Sequence, residues 1–147
     1  MIRKVVQMKN DVLVSVAGVQ LSLEGEKPVE IISKGKYYKR KNKIYIKYDE
    51  VSEDNDVSEC RIVVSDNCVE ITKKGAITSC MVFEKDNNCM STYGTPFGNL
   101  MVGITTNELI ILEGEDSLNI KISYMLDVNY SFVSECSVDI KVFSDAV

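Results

Sequence analysis

Apolar and polar residues alternate along most of this chain. Near the C-terminal end, Leu118, Ile120, Ile122, Tyr124, Leu126 and Val128 alternate with Asn119, Lys121, Ser123, Met125, Asp127 and Asn129. Beyond a turn near Asn129–Ser131, Phe132, Cys136, Val138, Ile140 and Val142 alternate with Glu135, Ser137, Asp139 and Lys141. A period of two places each set on one face of a β-strand, so these segments predict a long hairpin. Further back, Val29, Ile31, Ser33, Gly35 and Tyr37 share a face, and Ile44, Ile46 and Tyr48 share one after a turn at Lys41-Asn42. Cys60, Ile62 and Val64 face Val69 and Ile71 across the tight-turn pair Asp66-Asn67. Met81 and Phe83 precede a turn cluster at Asp86-Asn87-Asn88, and Leu100, Val102 and Ile104 lead to a turn expected near Thr106-Asn107.

The first strand changes phase. Val12, Val14 and Val16 fit one face, whereas Val19, Leu21 and Leu23 fit the other, with the switch at Ala17-Gly18. A β-bulge is expected there, bending the strand. No segment holds a period of 3.6 over three turns. The pattern predicts about eight to ten antiparallel strands joined by short turns. A sheet with one apolar face must hide it, and closing into a barrel does so while removing free edges. The expected architecture is all-β, a single antiparallel β-barrel domain over residues 1–147, with a two-sheet sandwich as the alternative.

Composition narrows the chemistry. The chain has 147 residues, 45% of them hydrophobic and 27% charged, with a net charge of −5. Such a length suits one self-sufficient core, and the negative charge weighs against a general affinity for nucleic acid. Histidine is absent, which removes Ser-His-Asp and Cys-His catalysis and His-ligated metals. The five cysteines, Cys60, Cys68, Cys80, Cys89 and Cys136, are odd in number and show no C-x-x-C spacing. They read as free, buried thiols in a reducing cytoplasm. No run approaches the about 20 apolar residues of a membrane span. No G-x-S-x-G, Walker loop or G-x-G-x-x-G occurs, so no reaction class, catalytic residue, metal or cofactor is indicated.

Three surfaces remain. Lys34, Lys36, Lys39, Arg40, Lys41, Lys43 and Lys47 cluster in one stretch. Alternation points Lys34, Lys36, Tyr38, Arg40, Lys43, Tyr45 and Lys47 outward on neighbouring strands. Tyrosines among cations can stack bases while the cations hold phosphates; a solvated basic hairpin is the plainer explanation. The acidic stretch from Asp49 to Glu59 lacks the glycine and closing glutamate of a calcium loop, and is expected to be an exposed hairpin loop. Tyr93-Gly94-Thr95-Pro96-Phe97-Gly98 marks a turn. At a barrel mouth, Tyr93, Thr95 and Phe97, with Tyr37, would line the entrance for a small apolar ligand.

Several short runs carry a family resemblance. Gly35-Lys36-Tyr37-Tyr38, then Asn42-Lys43-Ile44-Tyr45-Ile46, then Tyr93-x-Thr95-Pro96-Phe97-Gly98-Asn99-Leu100 with Thr106 downstream, and Ile122-Ser123-Tyr124 occur in that order. Their order and the chain length resemble the YwiB-like family of small, uncharacterised bacterial proteins. The resemblance implies a calycin-like (lipocalin-like) β-barrel and, through that fold, a small hydrophobic ligand; it implies no catalytic residues. The chain has Gly18-Val19-Gln20 where lipocalins carry glycine-x-tryptophan. Two functions are therefore expected as alternatives: a barrel holding an apolar ligand, or an interaction protein presenting its basic face to RNA or an acidic partner. Pairing of barrel edges into a homodimer stays open.

Overall fold

A computed structural model of the chain describes residues 11–22, 25–51, 55–75, 78–95 and 97–144. Its strands are β1 (Asp11–Ser22), β2 (Gly25–Arg40), β3 (Lys43–Val51), β4 (Val57–Ser65), β5 (Cys68–Lys74), β6 (Thr78–Glu84), β7 (Asn88–Thr95), β8 (Gly98–Glu113), β9 (Ser117–Val128) and β10 (Ser131–Ser144). Each pairs antiparallel with its sequence neighbour, and β1 closes the ring against β10. The expected all-β barrel is what forms, and short turns explain it, because a strand that reverses at once can only pair with its predecessor. Several turns place a residue in the left-handed region: Lys41 at φ 57°, Asn67 at 56°, Asp86 at 66°, Asn129 at 50° and Tyr130 at 67°. Asn and Asp tolerate that conformation best among residues with a side chain.

The alternating apolar set forms the core, with Val16, Ile71, Met81, Leu109, Ile111, Leu126 and Val138 partly buried against it. Val14, Ile46, Ile62, Val69, Ile104, Leu118, Ile140 and Val142 are at 0% exposure. A void large enough for water would leave accessible surface on its lining, so none touches these side chains. Phe83 meets Tyr124 edge-on, with ring centroids 5.0 Å apart. Gly35 has a packing reason: a Cβ there would lie 2.7 Å from the Lys47 carbonyl oxygen and 3.1 Å from both Tyr48 Cβ and Val14 Cγ2. Ion pairs lie at the two ends. Lys39 Nζ reaches Glu113 Oε2 at 2.8 Å, from β2 to β8. Lys73 Nζ meets Glu50 Oε1 at 2.8 Å near the opposite mouth.

Several details differ from expectation. β1 pairs with β2 without a shift from Asp11 to Ser22, so no bulge occurs at Ala17-Gly18. Gly18 is instead the last β1 residue paired with β10. The side chains of Val19 and Leu21, and residue Leu23, which suggested the switch, lie outside the described residues. Register shifts fall at Thr106/Glu108 on β8 and Phe132/Ser134 on β10. The extra residue Asn107 moves the inward series from Ile104 and Thr106 to Leu109 and Ile111, which imitates a break in the sequence. The turn expected near Thr106-Asn107 is therefore a bulge within one strand. The second bulge turns Phe132 outward, to 62% exposure, instead of leaving it with Cys136. Much of the acidic stretch expected as a loop is strand, with β3 and β4 paired as far as Val51↔Val57.

The weakest join is between β6 and β7, which pair only at Thr78↔Gly94 and Ser79↔Tyr93. Their turn is tied to β8 instead: the Asp86 N–H donates to the Thr106 carbonyl and the Thr106 N–H to the Asn87 carbonyl.

Candidate functional site

The outer wall of β2 to β5 carries side chains in lateral rows, because residues paired in register face the same side. One row reads Asp11, Lys36, Lys47, Arg61 and Thr72, each paired with the next on the adjacent strand. Three cations thus stand side by side across β2, β3 and β4, where neighbouring strands are about 4.8 Å apart. Two residues away along β2 and β3, Tyr38 is paired with Tyr45. Arg40 and Lys43 pair beyond them at the turn. On the other side of the cation row, Asp49 faces Glu59, and Glu59 faces Lys74.

This wall is concave. A groove of about 640 Å³ lies over it, lined by Asp11, Lys34, Lys36, Lys47, Asp49, Glu59, Arg61, Thr72 and Lys74. The stretches around Val12, Gly35, Tyr48 and Cys60 form its floor. Lys36 is ion-paired with Asp11. Their hydrogen bond holds the Asp11 carboxyl below its usual range and raises Lys36 above its own. Among the described residues, neither Lys47 nor Arg61 forms an ion pair.

Alternation had indicated the outward direction of Lys34, Lys36, Tyr38, Arg40, Lys43, Tyr45 and Lys47, and their burial agrees, with Tyr45 half-buried and the others exposed. Lys34, Lys36 and Lys47 line the groove, whereas Tyr38, Arg40, Lys43 and Tyr45 continue the wall beyond it. Sequence reading missed Arg61, Thr72, Lys74, Asp11, Asp49 and Glu59. Arg61 could have been found from its place beside inward-facing Cys60 and Ile62. Nothing local said that it stands next to Lys47.

Of the residues expected to line an apolar entrance, Tyr37 and Phe97 are not brought together. Tyr37 is buried on β2 at 6% exposure, and Phe97 is 99% exposed between β7 and β8. β2 and β7 are on opposite walls of the ring. The side chains of Tyr93 and Thr95, and residue Pro96, lie outside the described residues. Neither Tyr37 nor Phe97 lines the groove.

Under the groove floor, burial pushes the Tyr48 hydroxyl and the Cys60 thiol up, with the nearby Glu50 carboxylate adding to both. Burial likewise raises Cys68. All five cysteines are free, and a thiol with a raised pKa is a poor nucleophile. Among the described residues, no group of three His, Cys, Asp or Glu side chains is placed to hold a metal ion. No helix among them is long and apolar enough to cross a membrane.

Residues 14–140 match the family described as "Domain of unknown function (DUF1934)". The chain belongs to that family. Its fold matches the crystal structure of the ywiB protein from Bacillus subtilis, with a TM-score of 0.79, 20% identity and 93% of each chain covered. The barrel is thus of the YwiB-like type that the short runs indicated, and it is consistent with a calycin-like fold. No curated protein matches the chain.

Proposed function

We propose that this DUF1934 barrel is a binding protein whose outer β2–β5 wall holds single-stranded RNA. The observation that carries this reading is the row Lys36, Lys47 and Arg61. Like charges placed directly opposite on neighbouring strands destabilise a sheet, so stability gives no reason for three in a row. Phosphates do give one, since cations in a groove release counterions when they neutralise a nucleic-acid backbone. The Tyr38–Tyr45 pair adds aromatic faces next to the cations, which favours stacked bases over an acidic protein. A net charge of −5 is compatible with this, because the positive charge is concentrated on one wall. Free thiols suit a reducing, cytoplasmic setting. A small apolar ligand inside the barrel is the less favoured alternative, given the fully buried side chains at the centre of the core and a groove lined mostly by outward-facing residues.

Fluorescence anisotropy with a labelled single-stranded RNA tests the proposal. Three phosphate contacts on a single strand predict affinity falling roughly 20-fold from about 50 to about 200 mM salt. Lys47→Glu and Arg61→Glu should each abolish binding at the higher salt. No binding at low salt, or binding unchanged by both substitutions, refutes the reading. Equal affinity for poly-glutamate would reassign the wall to an acidic protein partner.

A further inference from the structure

A second like-charge pair on the same wall has no role in phosphate binding. Asp49 and Glu59 face each other across β3 and β4 and both line the groove. Each lies two residues along its strand from a cation, Asp49 from Lys47 and Glu59 from Arg61, a rise of about 6.6 Å. Neither forms an ion pair with a described residue. Carboxylates next to a phosphate track weaken it by repulsion, unless the ligand presents donors to them. The sugar-phosphate backbone of RNA offers one such donor, the ribose 2′-hydroxyl, which DNA lacks.

The order of rows along the strands supplies the second half of the inference. From the β2–β3 turn toward the other end of β3 come the paired tyrosines, then the cations, then the carboxylates. A single strand whose phosphates follow the cation row across β2, β3 and β4 turns its bases to the tyrosine side of that row and its ribose hydroxyls to the carboxylate side. We propose that Asp49 and Glu59 accept hydrogen bonds from ribose 2′-hydroxyls, so that this wall selects RNA over DNA. The inference rests on the reading that the wall binds a single strand. Hydrogen bonds to a charged acceptor are among the stronger ones, and one such bond corresponds to roughly tenfold in affinity.

Anisotropy with RNA, DNA and 2′-O-methyl RNA of one sequence tests it on the full chain. RNA is expected to bind roughly tenfold tighter than either analogue. Asp49→Ala and Glu59→Ala should bring the RNA/DNA ratio toward one without weakening DNA. Equal binding of all three by the wild-type protein overturns the selectivity and leaves the wall as a single-strand site. Binding of none overturns the underlying reading as well. A preference that persists with 2′-O-methyl RNA, or in both folded alanine variants, also overturns the selectivity. The methylated RNA probes the hydroxyl without altering the protein, so the test does not depend on how the variants fold.

Discussion

The two sides of the β2–β5 wall obey different rules although one backbone register sets both. On the inner side, Val12, Gly35, Tyr48 and Cys60 form a row in which a Cβ at Gly35 would lie 2.7 Å from the Lys47 carbonyl oxygen. On the outer side, the next row along each strand sets Lys36, Lys47 and Arg61 together. A slip of one residue would carry every inner side chain to the solvent face, so the inner row fixes the register. The outer row is carried along with it and adds little to stability. That freedom lets an unfavourable line of charge persist on the outer face.

The comparison can be broken first from the inside. Ile62→Ala removes a side chain at 0% exposure and should cost about 2–5 kcal/mol in denaturant unfolding, through lost burial and the cavity left behind. A cost under about 1 kcal/mol would mean that the core relaxes freely and does not enforce the register.

Alkaline pH probes the same side more gently. Burial raises Tyr48 and Tyr124 above the ordinary tyrosine value, with Cys60 and Cys136 adding to the shifts. Both hydroxyls are neutral in the folded state at a pH where the unfolded chain begins to ionise. Their contribution to stability is whole below about pH 10 and is lost as pH rises beyond it, by about 1.4 kcal/mol per pH unit for each tyrosine. Unfolding curves between about pH 9 and 11.5 should show that slope, and Tyr48→Phe should reduce it. A flat profile would place the two hydroxyls in water.

The outer side should give the smallest effect. Lys47→Glu, which is expected to abolish RNA binding, should change unfolding stability by no more than about 0.5 kcal/mol. A loss comparable to that of Ile62→Ala would show that the cation row is structural after all.

Alternation was legible because burial on one face leaves a period of two in the residues themselves, as the Leu118–Val128 series shows. The bulges were less so. One extra residue, such as Asn107, reads as a turn when only the pattern is seen. The site was half legible: Lys36, Tyr38, Tyr45 and Lys47 lie within one hairpin, whose short turn fixes their pairing. Arg61 lies across an acidic stretch that looked like a loop, and its place beside Lys47 depends on the long-range β3–β4 register. Asp49 and Glu59 lie in the same stretch, and their pairing depends on the same register.

By itself, then, the sequence determined that these strands exist, which face of most of them is apolar, and that histidine chemistry is absent. Only the tertiary structure decided which outward residues become neighbours, which core side chains are shut off from water, and that the groove is lined mostly by outward-facing residues. The physical reason is range: alternation is a local record of burial, whereas a lateral row joins residues through hydrogen bonds between strands far apart in the chain.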